Sequence, residues 1–415
     1  MVADSVATII FWLSAGLVAW VYAGYPLALV LLGRLFPRPR RREPITPSVS
    51  LVVAAHNEEQ AIATKIAGIL ASSYPRDRLE VTVASDGSTD GTVKEARRAG
   101  AHRVLELPRI GKISALNEAV AACTGEILVF TDADSTLEPD SLASLVSNFA
   151  DPDVGAAAAN VLRSGDDGVA RGEGLYWRYD QWIKRLEEKL GSAVSADGNL
   201  YAVRRELFEP SDVTDGTDDF VISTKVVKAG HRLAFDENAR VLVEPPLHGE
   251  AEFRRKVRVM NRGMRAAFSL GSTLLPWRGG WYSIEVISHK VLRRLVPFFL
   301  IGLLGTSAWL TAARGGSWSG LLVIQIAFYL LAILGALARE RPLGRARILS
   351  VPFYFCLANA AAAVAVLSIL RGTRFRVWHP ERRPGETPRP GSAYRSLPAS
   401  DRARSSAVQI GERRR

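Results

Sequence analysis

Cysteine is nearly absent from this chain of 415 residues. Cys123 and Cys356 are the only two, and they lie more than 230 positions apart. A disulfide scaffold needs several paired cysteines, and a structural zinc cluster needs a close set of cysteines and histidines. The sequence therefore excludes both classes of protein.

Charged residues are missing from four long stretches. Residues 5–33 contain none, and a membrane-spanning helix needs about 20 predominantly apolar residues. Buried core helices are the alternative, but three further runs in one region are typical of a membrane protein. We expect an uncleaved N-terminal transmembrane helix within 1–33 and about three C-terminal transmembrane segments within 295–370. The three C-terminal runs are 295–313, 315–338 and 348–370.

Positive charge is in excess overall, but the excess does not lie in the middle of the chain. The net charge is +11 for the whole chain, −12 for residues 44–250 and +12 for residues 251–370. A nucleic-acid binder would carry its basic residues on the globular part, whereas here they flank the apolar stretches. The sequence therefore predicts membrane lipids as partners and no nucleic acid.

Arginine placement indicates the orientation in the membrane. Arg34 and the arginines of the basic linker 34–45 follow the first apolar stretch, and Lys290, Arg293 and Arg294 precede the second. Cytoplasmic segments next to a span carry more lysine and arginine than external ones. We therefore expect residues 46–250 to form a cytoplasmic domain of a multi-pass protein in the cell inner (plasma) membrane.

The tail 371–415 conflicts with this orientation. It carries 12 arginines, yet three crossings after the cytoplasmic domain would place it outside. Either the tail breaks the rule, or one apolar segment re-enters without crossing; both remain open. Its proline, glycine, serine and arginine content predicts a basic, largely disordered segment.

The middle region alternates strand patterns with helical patterns. Buried-strand runs occur at 48–55, 79–85, 103–107 and 126–131, with helical patterns between them. This alternation predicts an α/β fold, with a mostly parallel sheet and helices on both faces.

Polar clusters follow three of these strands. His56-Asn-Glu-Glu, Asp86-Gly-Ser-Thr-Asp and Asp132-Ala-Asp134 each begin where a strand ends. Ligands bind outside the carboxyl ends of the strands in such sheets. Asp132 and Asp134 offer oxygen ligands that suit Mg²⁺ or Mn²⁺. An Asp pair can instead form a turn with a helix cap, and the second cluster can be an ordinary turn.

Taken in order, these motifs resemble a known family. The series V-x-A-x-x-N-E-E, D-G-S-T-D, G-K-x-x-A-L-N, D-A-D and Thr217-Asp218-Asp219 is similar to that of the family 2 inverting glycosyltransferases. Within them it resembles the membrane-integrated branch of hyaluronan, cellulose and poly-N-acetylglucosamine synthases. The resemblance implies a GT-A domain, a Rossmann-like nucleotide-diphospho-sugar transferase fold, over 46–250, embedded in a helical transmembrane protein.

The resemblance also implies donor-side roles. Glu58 and Asp86 would hold the base and ribose of the nucleotide, and Lys112 would lie near the uridine or the diphosphate. Asp132 and Asp134 would bind the diphosphate through Mg²⁺ or Mn²⁺. The chemistry agrees, because a divalent cation stabilises the charge on a departing nucleoside diphosphate.

On the acceptor side, Asp219 matches the family's general base, which removes the proton of the acceptor hydroxyl. Asp218 stands where the family usually has Glu, and Gly198 would allow close approach of the acceptor. Gly198 can also be a simple turn residue, and Thr217 or Asp218 can cap a helix.

One departure concerns the helix after the base. Polymer-making members carry Q-x-x-R-W there; Arg258 and Arg262 are the nearest equivalents here, and the Gln and Trp are missing. A basic amphipathic helix on anionic headgroups explains these arginines equally well, so 251–294 is predicted to be interfacial. Trp378 and Arg382 resemble a W-x-x-x-R motif of the polymer-making relatives.

The sequence thus predicts an inverting glycosyltransferase that moves a sugar from a nucleotide-diphosphate donor, a UDP-sugar by expectation, to a membrane-proximal saccharide or lipid-linked acceptor. A processive polysaccharide synthase with export is one alternative. A catalytically silent scaffold that binds nucleotide sugars is another, from a different class. A transporter has little support, since the apolar runs carry no charge.

Overall fold

A computed structural model describes residues 2–163, 168–212, 216–243, 250–339 and 341–375 of the chain. The tail from 376 onwards, including Trp378 and Arg382, lies outside the described residues, so the prediction of a disordered tail stays a prediction.

In the described part of the chain, eight strands form one sheet in the order β3-β2-β1-β4-β7-β6-β8-β5. The four strands predicted from the sequence are present within one residue of the expected bounds. The strands are β1 Val49–Ala55, β2 Leu79–Asp86, β3 Arg103–Leu107, β4 Ile127–Asp132, β5 Ser135–Leu137, β6 Val154–Arg163, β7 Tyr201–Arg204 and β8 Arg232–Val243.

The sheet is mixed rather than uniformly parallel. β3, β2, β1 and β4 are parallel neighbours, as the alternating pattern predicts. β7 runs antiparallel to β4 and β6, and β5 runs antiparallel to β8. Strand order reverses between β1 and β4, since the chain moves outward to β3 on one side before returning to β4. The carboxyl ends at such a reversal form a crevice for ligands.

Helices pack on both faces of the sheet because β1 is apolar on both faces. Leu51 and Val53 belong to one buried cluster with Ile62, and Val52 belongs to another with Leu116. The helices of this domain are α2 Glu59–Leu70, α3 Thr92–Arg98, α4 Lys112–Ala121, α5 Ser141–Ser147, α6 Gly168–Leu190 and α7 Asp218–Lys228.

Within the described residues, four helices are long and apolar enough to cross a membrane, in the regions where the sequence predicts spans. A hydrocarbon core of about 30 Å needs roughly 20 helical residues. These helices are α1 Val2–Leu35, α9 Pro276–Arg314, α10 Ser317–Leu337 and α11 Arg347–Leu370, and the amphipathic helix α8 Glu250–Ser269 precedes them.

The apolar helices are joined to the sheet domain by specific contacts. The hydroxyl of Tyr25 in α1 donates to Glu187 Oε1 in α6 at 2.6 Å. Ala266 and Ala267 of α8 pack in one buried cluster with Phe220 and Val221 of α7. The helix that begins at Asp218 is therefore held between the sheet and α8.

Candidate functional site

The Asp132-Ala-Asp134 turn lies at the carboxyl end of β4, beside the strand-order reversal. Asp132 is partly buried, and Asp134 is exposed. Burial raises the pKa of Asp132 to about 7, against the attraction of Lys112 and with further repulsion from Asp134. A carboxylate whose ionised form is this costly is one that an additional cation would stabilise.

Lys112 joins the two sides of the site. It is the first residue of α4, after Gly111 with φ +92°. Its Nζ donates to Asp132 Oδ1 at 2.6 Å and lies 3.1 Å from Asp218 Oδ1. Burial opposes its charge, but Asp132 and Asp218 together raise the pKa of Lys112 above its usual range. The side chain is therefore a fixed ammonium between two carboxylates.

Asp219 lies in the first turn of α7, next to Asp218. Its Oδ2 accepts the Gly198 N–H at 3.0 Å, and its Oδ1 accepts the Phe220 N–H at 2.8 Å. Burial, with repulsion from Asp218 and then Asp197, raises the pKa of Asp219 to about 6. A carboxylate with a pKa near neutral is a more effective proton acceptor than an ordinary aspartate.

Gly198 lies in the centre of this cluster. A Cβ at this position would come within 3.5 Å of both Asp132 Oδ2 and Lys112 Nζ. These are van der Waals contact distances, so the Gly198 backbone lies directly beside both side chains. The structure thus brings together five of the predicted residues: Lys112, Asp132, Gly198, Asp218 and Asp219.

Asp86 ends β2 and is buried. Its Oδ1 accepts the N–H groups of Ile110 at 2.8 Å and Gly111 at 3.0 Å, and its Oδ2 accepts Arg109 Nη1 at 2.6 Å. Asp86 therefore fastens the loop that leads into Lys112. Gly87 has φ +65° and a Cβ there would lie 3.0 Å from the Arg109 backbone, so the turn after Asp86 requires a glycine.

Glu58 is buried at the beginning of α2, in the loop beside Asp86. Its N–H donates to Thr92 Oγ1 at 2.7 Å, and Asn57 Oδ1 accepts the Thr89 N–H at 2.8 Å. These bonds link the loops after β1 and β2 into one wall of the crevice. The nucleotide contacts of Glu58 and Asp86 stay predictions.

The two arginines expected on the acceptor side lie on α8. Arg262 is buried, and its Nε and Nη2 donate to the Gly216 carbonyl at 3.0 and 2.5 Å. Gly216 precedes Thr217 and the two aspartates, so Arg262 supports the loop that leads into Asp218 and Asp219. Arg258 is partly buried on the same helix.

Lys65 was not predicted from the sequence. It is buried in α2, and its Nζ donates to Thr131 Oγ1 and to the Ser135 carbonyl, both at 2.7 Å. Burial lowers the pKa of Lys65 to about 7, against the attraction of Asp134 and Asp132. It therefore holds the turn between β4 and β5 from beneath. The sequence feature that could have indicated this buried lysine is its position on the apolar face of α2, between Ile62 and Ile66.

The residues at the end of β4 fit a hard divalent cation. Asp132 and Asp134 offer oxygen donors, which suit Mg²⁺ or Mn²⁺. Among the described residues, no three side chains of the metal-binding types come together. Two carboxylates would therefore leave most of the coordination shell to a diphosphate and water.

The family model described as "Glycosyl transferase family 2" matches residues 50–210. The beta-monoglucosyldiacylglycerol synthase of Synechocystis sp. is 27% identical over 270 residues, covering 59% of this chain and 54% of that protein. An N-acetylglucosaminyltransferase of Bradyrhizobium elkanii is 30% identical over 126 residues, covering 29% of this chain and 69% of that protein. The chain spans about half the length of the first of these relatives.

A solved mannosyltransferase from Pyrobaculum calidifontis, in complex with GDP-Man and Mn²⁺, superposes with a TM-score of 0.62 and 25% identity. The match covers 85% of this chain and 99% of the mannosyltransferase, so it extends beyond the sheet domain. The predicted α/β fold of the GT-A type is thereby confirmed. From the family model, the relatives and this fold, the chain belongs to glycosyl transferase family 2.

Proposed function

We propose that the protein is an inverting glycosyltransferase of the membrane-integrated branch of its family. It transfers a sugar from a nucleoside-diphosphate donor, with UDP as the expected nucleotide, to a membrane-proximal saccharide or lipid-linked acceptor. The observation that carries the proposal is the group of Lys112, Asp132, Gly198, Asp218 and Asp219 at the carboxyl ends of the central strands.

Asp219 is the general base of this proposal. Inversion requires the acceptor hydroxyl to lose its proton on the face opposite the leaving group, and a positioned carboxylate contributes typically 10²–10⁴-fold. The raised pKa of Asp219 suits this task, and the Gly198 N–H holds its carboxylate in place at 3.0 Å.

Lys112, Asp132 and Asp134 form the diphosphate end of the site. Asp132 and Asp134 would hold Mg²⁺ or Mn²⁺, which neutralises the negative charge that develops on the departing nucleoside diphosphate. The Lys112 ammonium, 2.6 Å from Asp132, adds a fixed positive charge at the same end. A domain with net charge −12 over 44–250 would otherwise repel an anionic donor.

The membrane arrangement is part of the proposal. Residues 1–33 anchor the chain, the linker 34–45 leads into a cytoplasmic domain at 46–250, and 251–294 lies at the interface. The segments within 295–370 then enter the membrane. The four apolar helices of sufficient length among the described residues support this division.

Single transfer is favoured over processive synthesis. The guanidinium of Arg262 is occupied by the Gly216 carbonyl, and α8 carries no Trp at the place where polymer-making relatives stack an acceptor sugar. A silent scaffold is disfavoured, because Asp132, Asp134 and Asp219 are all present.

Membranes containing the protein should be incubated with a panel of radiolabelled nucleotide sugars, and the lipid-soluble and polymeric products separated. We expect label from one donor in the lipid-soluble fraction. Label in polymer would support processive synthesis, and no transfer from any donor, with donor binding intact, would support the scaffold.

A further inference from the structure

A cavity lies away from the catalytic cluster, among the helices that join the sheet domain to the apolar segments. Its volume is about 70 Å³, several times what one water molecule needs. Residues of α1, α6, α8, α9 and α11 line it. The lining includes three basic residues, Lys290, Arg293 and Arg294. Among the described residues that line the cavity, Asp180 is the one with a carboxylate.

Asp180 is already occupied by donors. Its Oδ1 accepts Arg293 Nη1 at 2.8 Å and lies 3.0 Å from His289 Nε2. The second buried carboxylate nearby, Glu187, accepts the Tyr25 hydroxyl and lies 2.7 Å from His289 Nδ1. The cations of the cavity therefore exceed the carboxylates that could neutralise them.

The guanidinium groups of Arg293 and Arg294 have N–H donors that no acceptor uses among the described residues. The Arg293 side chain is 10% exposed, and within the described part of the chain its Nε and Nη2 are buried without a hydrogen-bond partner. The same holds for Arg294 Nε, whose Nη1 donates to the Lys290 carbonyl. Buried charged donors are costly unless they are paired, so these groups indicate a missing anionic partner.

Arg293 is also held in place for binding. Its guanidinium carbon lies 4.3 Å from the ring centroid of Tyr176 and 5.5 Å from that of Tyr179. Stacking on two rings and the bond to Asp180 fix the planar fork. Fixed arginine forks with a neighbouring lysine are suited to phosphate, which accepts several charge-assisted hydrogen bonds.

Apolar residues line the same cavity as the cations. Met260, Ala358 and Ala362 come from α8 and α11, and α11 is one of the helices that could cross a membrane. An occupant with a charged head and an apolar body matches both parts. We propose that this cavity binds the phosphate group of an anionic membrane lipid.

The cavity also adjoins the helix that supports the base loop. A Cβ on Gly263 would lie 2.8 Å from Arg294 Nη2, and Gly263 follows Arg262 on α8. A bound lipid would therefore lie behind the acceptor side of the site. It could be a bilayer phospholipid or a lipid-linked acceptor, which share the phosphate; the proposal itself concerns binding and does not depend on transfer.

The test uses the full chain in neutral detergent without any sugar donor. Dioleoyl phosphatidic acid, dioleoyl phosphatidylcholine, decaprenyl phosphate and inorganic phosphate are added separately, and binding is followed by native mass spectrometry and by Tm. We expect saturable binding and a raised Tm with phosphatidic acid, whose terminal phosphate is anionic and free. We expect neither with phosphatidylcholine, whose phosphate is esterified to the cationic choline and which carries no net charge. If decaprenyl phosphate binds more tightly than phosphatidic acid, the occupant is an acceptor-type lipid. If the two bind equally, the occupant is a phospholipid headgroup. Either result supports the site.

Lys290→Gln and Arg294→Gln should each weaken phosphatidic acid binding at least tenfold. Because each removes a partly buried cation that has no carboxylate partner among the described residues, neither should lower Tm in the absence of lipid, which separates a binding role from a structural one. The control is Arg347→Gln, which changes an exposed arginine at the beginning of α11. Its affinity for phosphatidic acid should stay within twofold of that of the unmodified protein. Equal losses in all three variants, unchanged affinity in both cavity variants, or equal protection by inorganic phosphate would overturn the proposal.

Discussion

The protonation of Asp219 is the residue property with the clearest consequence. Its pKa of about 6 comes from burial, then from repulsion by Asp218 and Asp197, with Lys112 opposing. A general base must be deprotonated, so turnover should be constant above this value and fall as the pH decreases through about 6. A pH–rate profile at saturating donor measures this decrease, which forms the acid limb of the profile.

Asp197→Asn provides the matched variant for that profile. It removes one repelling charge, so the pKa of Asp219 should fall and the acid limb should move to lower pH. An acid limb near 4 in the unmodified protein, as for an ordinary aspartate, would contradict the assignment.

Asp134 is exposed beside Asp132, and its proposed role is to bind a divalent cation and through it the donor. Asp134→Asn should weaken the affinity for both, because it removes a charged oxygen ligand. Calorimetry of donor binding at several Mn²⁺ concentrations checks this, and excess EDTA should abolish transfer by the unmodified protein. Full transfer in EDTA would exclude metal-assisted donor binding.

At the scale of elements, α8 is linked through Arg262 to the loop before Asp219, the proposed base. Arg262→Met removes two bonds to the Gly216 carbonyl, and hydrogen bonds from charged groups contribute about 1.5–3 kcal/mol. We expect turnover to fall about tenfold or more while donor affinity is kept, because the base is displaced and the diphosphate end is not. Turnover and donor affinity are measured separately.

Arg254→Met is the control for that variant, since Arg254 is exposed on the same helix. Equal losses in both would indicate that α8 acts through its overall charge and not through Gly216. A loss of donor affinity with Arg262→Met would place its effect at the other end of the site.

The elements of the sheet domain were largely predictable, because their patterns lie in short contiguous stretches of sequence. β1, β2 and β4 are continuous apolar runs that end on polar clusters, and helices with apolar periodicity separate them. Antiparallel β7 was not predicted, because its direction depends on pairing with β4 and β6, which are distant in sequence.

The site was predictable only where a motif is contiguous. Asp132, Asp218 and Asp219 stand out in the sequence, whereas Lys65 and the bond from Arg262 to Gly216 depend on tertiary packing. A lysine in α2 and an arginine in a basic amphipathic helix are both typical of solvent-exposed helix faces. Their hydrogen-bond partners therefore could not be predicted from the sequence.

At the scale of the whole molecule, the orientation of the sheet domain is a proposal with a direct test. In a cysteine-free background, Asp77→Cys lies on the exposed surface of the sheet domain, and Ser317→Cys lies at the exposed beginning of α10. We expect an impermeant thiol reagent to label Ser317→Cys in intact cells and Asp77→Cys only after permeabilisation. The reverse pattern would invert the topology.

The central claim, that this molecule transfers sugar with Asp219 as its base, is tested most directly by Asp219→Asn in the intact membrane protein. Turnover and donor affinity are measured side by side, with Asp212→Asn, an exposed aspartate, as control. The substitution is nearly isosteric; it removes the proton acceptor and also one of the two acceptor oxygens that bind the Gly198 and Phe220 N–H groups. We expect turnover to fall by about 10² or more with donor affinity within a few-fold, and the control to stay near normal. Near-normal turnover of Asp219→Asn, or a loss of donor affinity like that expected for Asp134→Asn, would contradict the account.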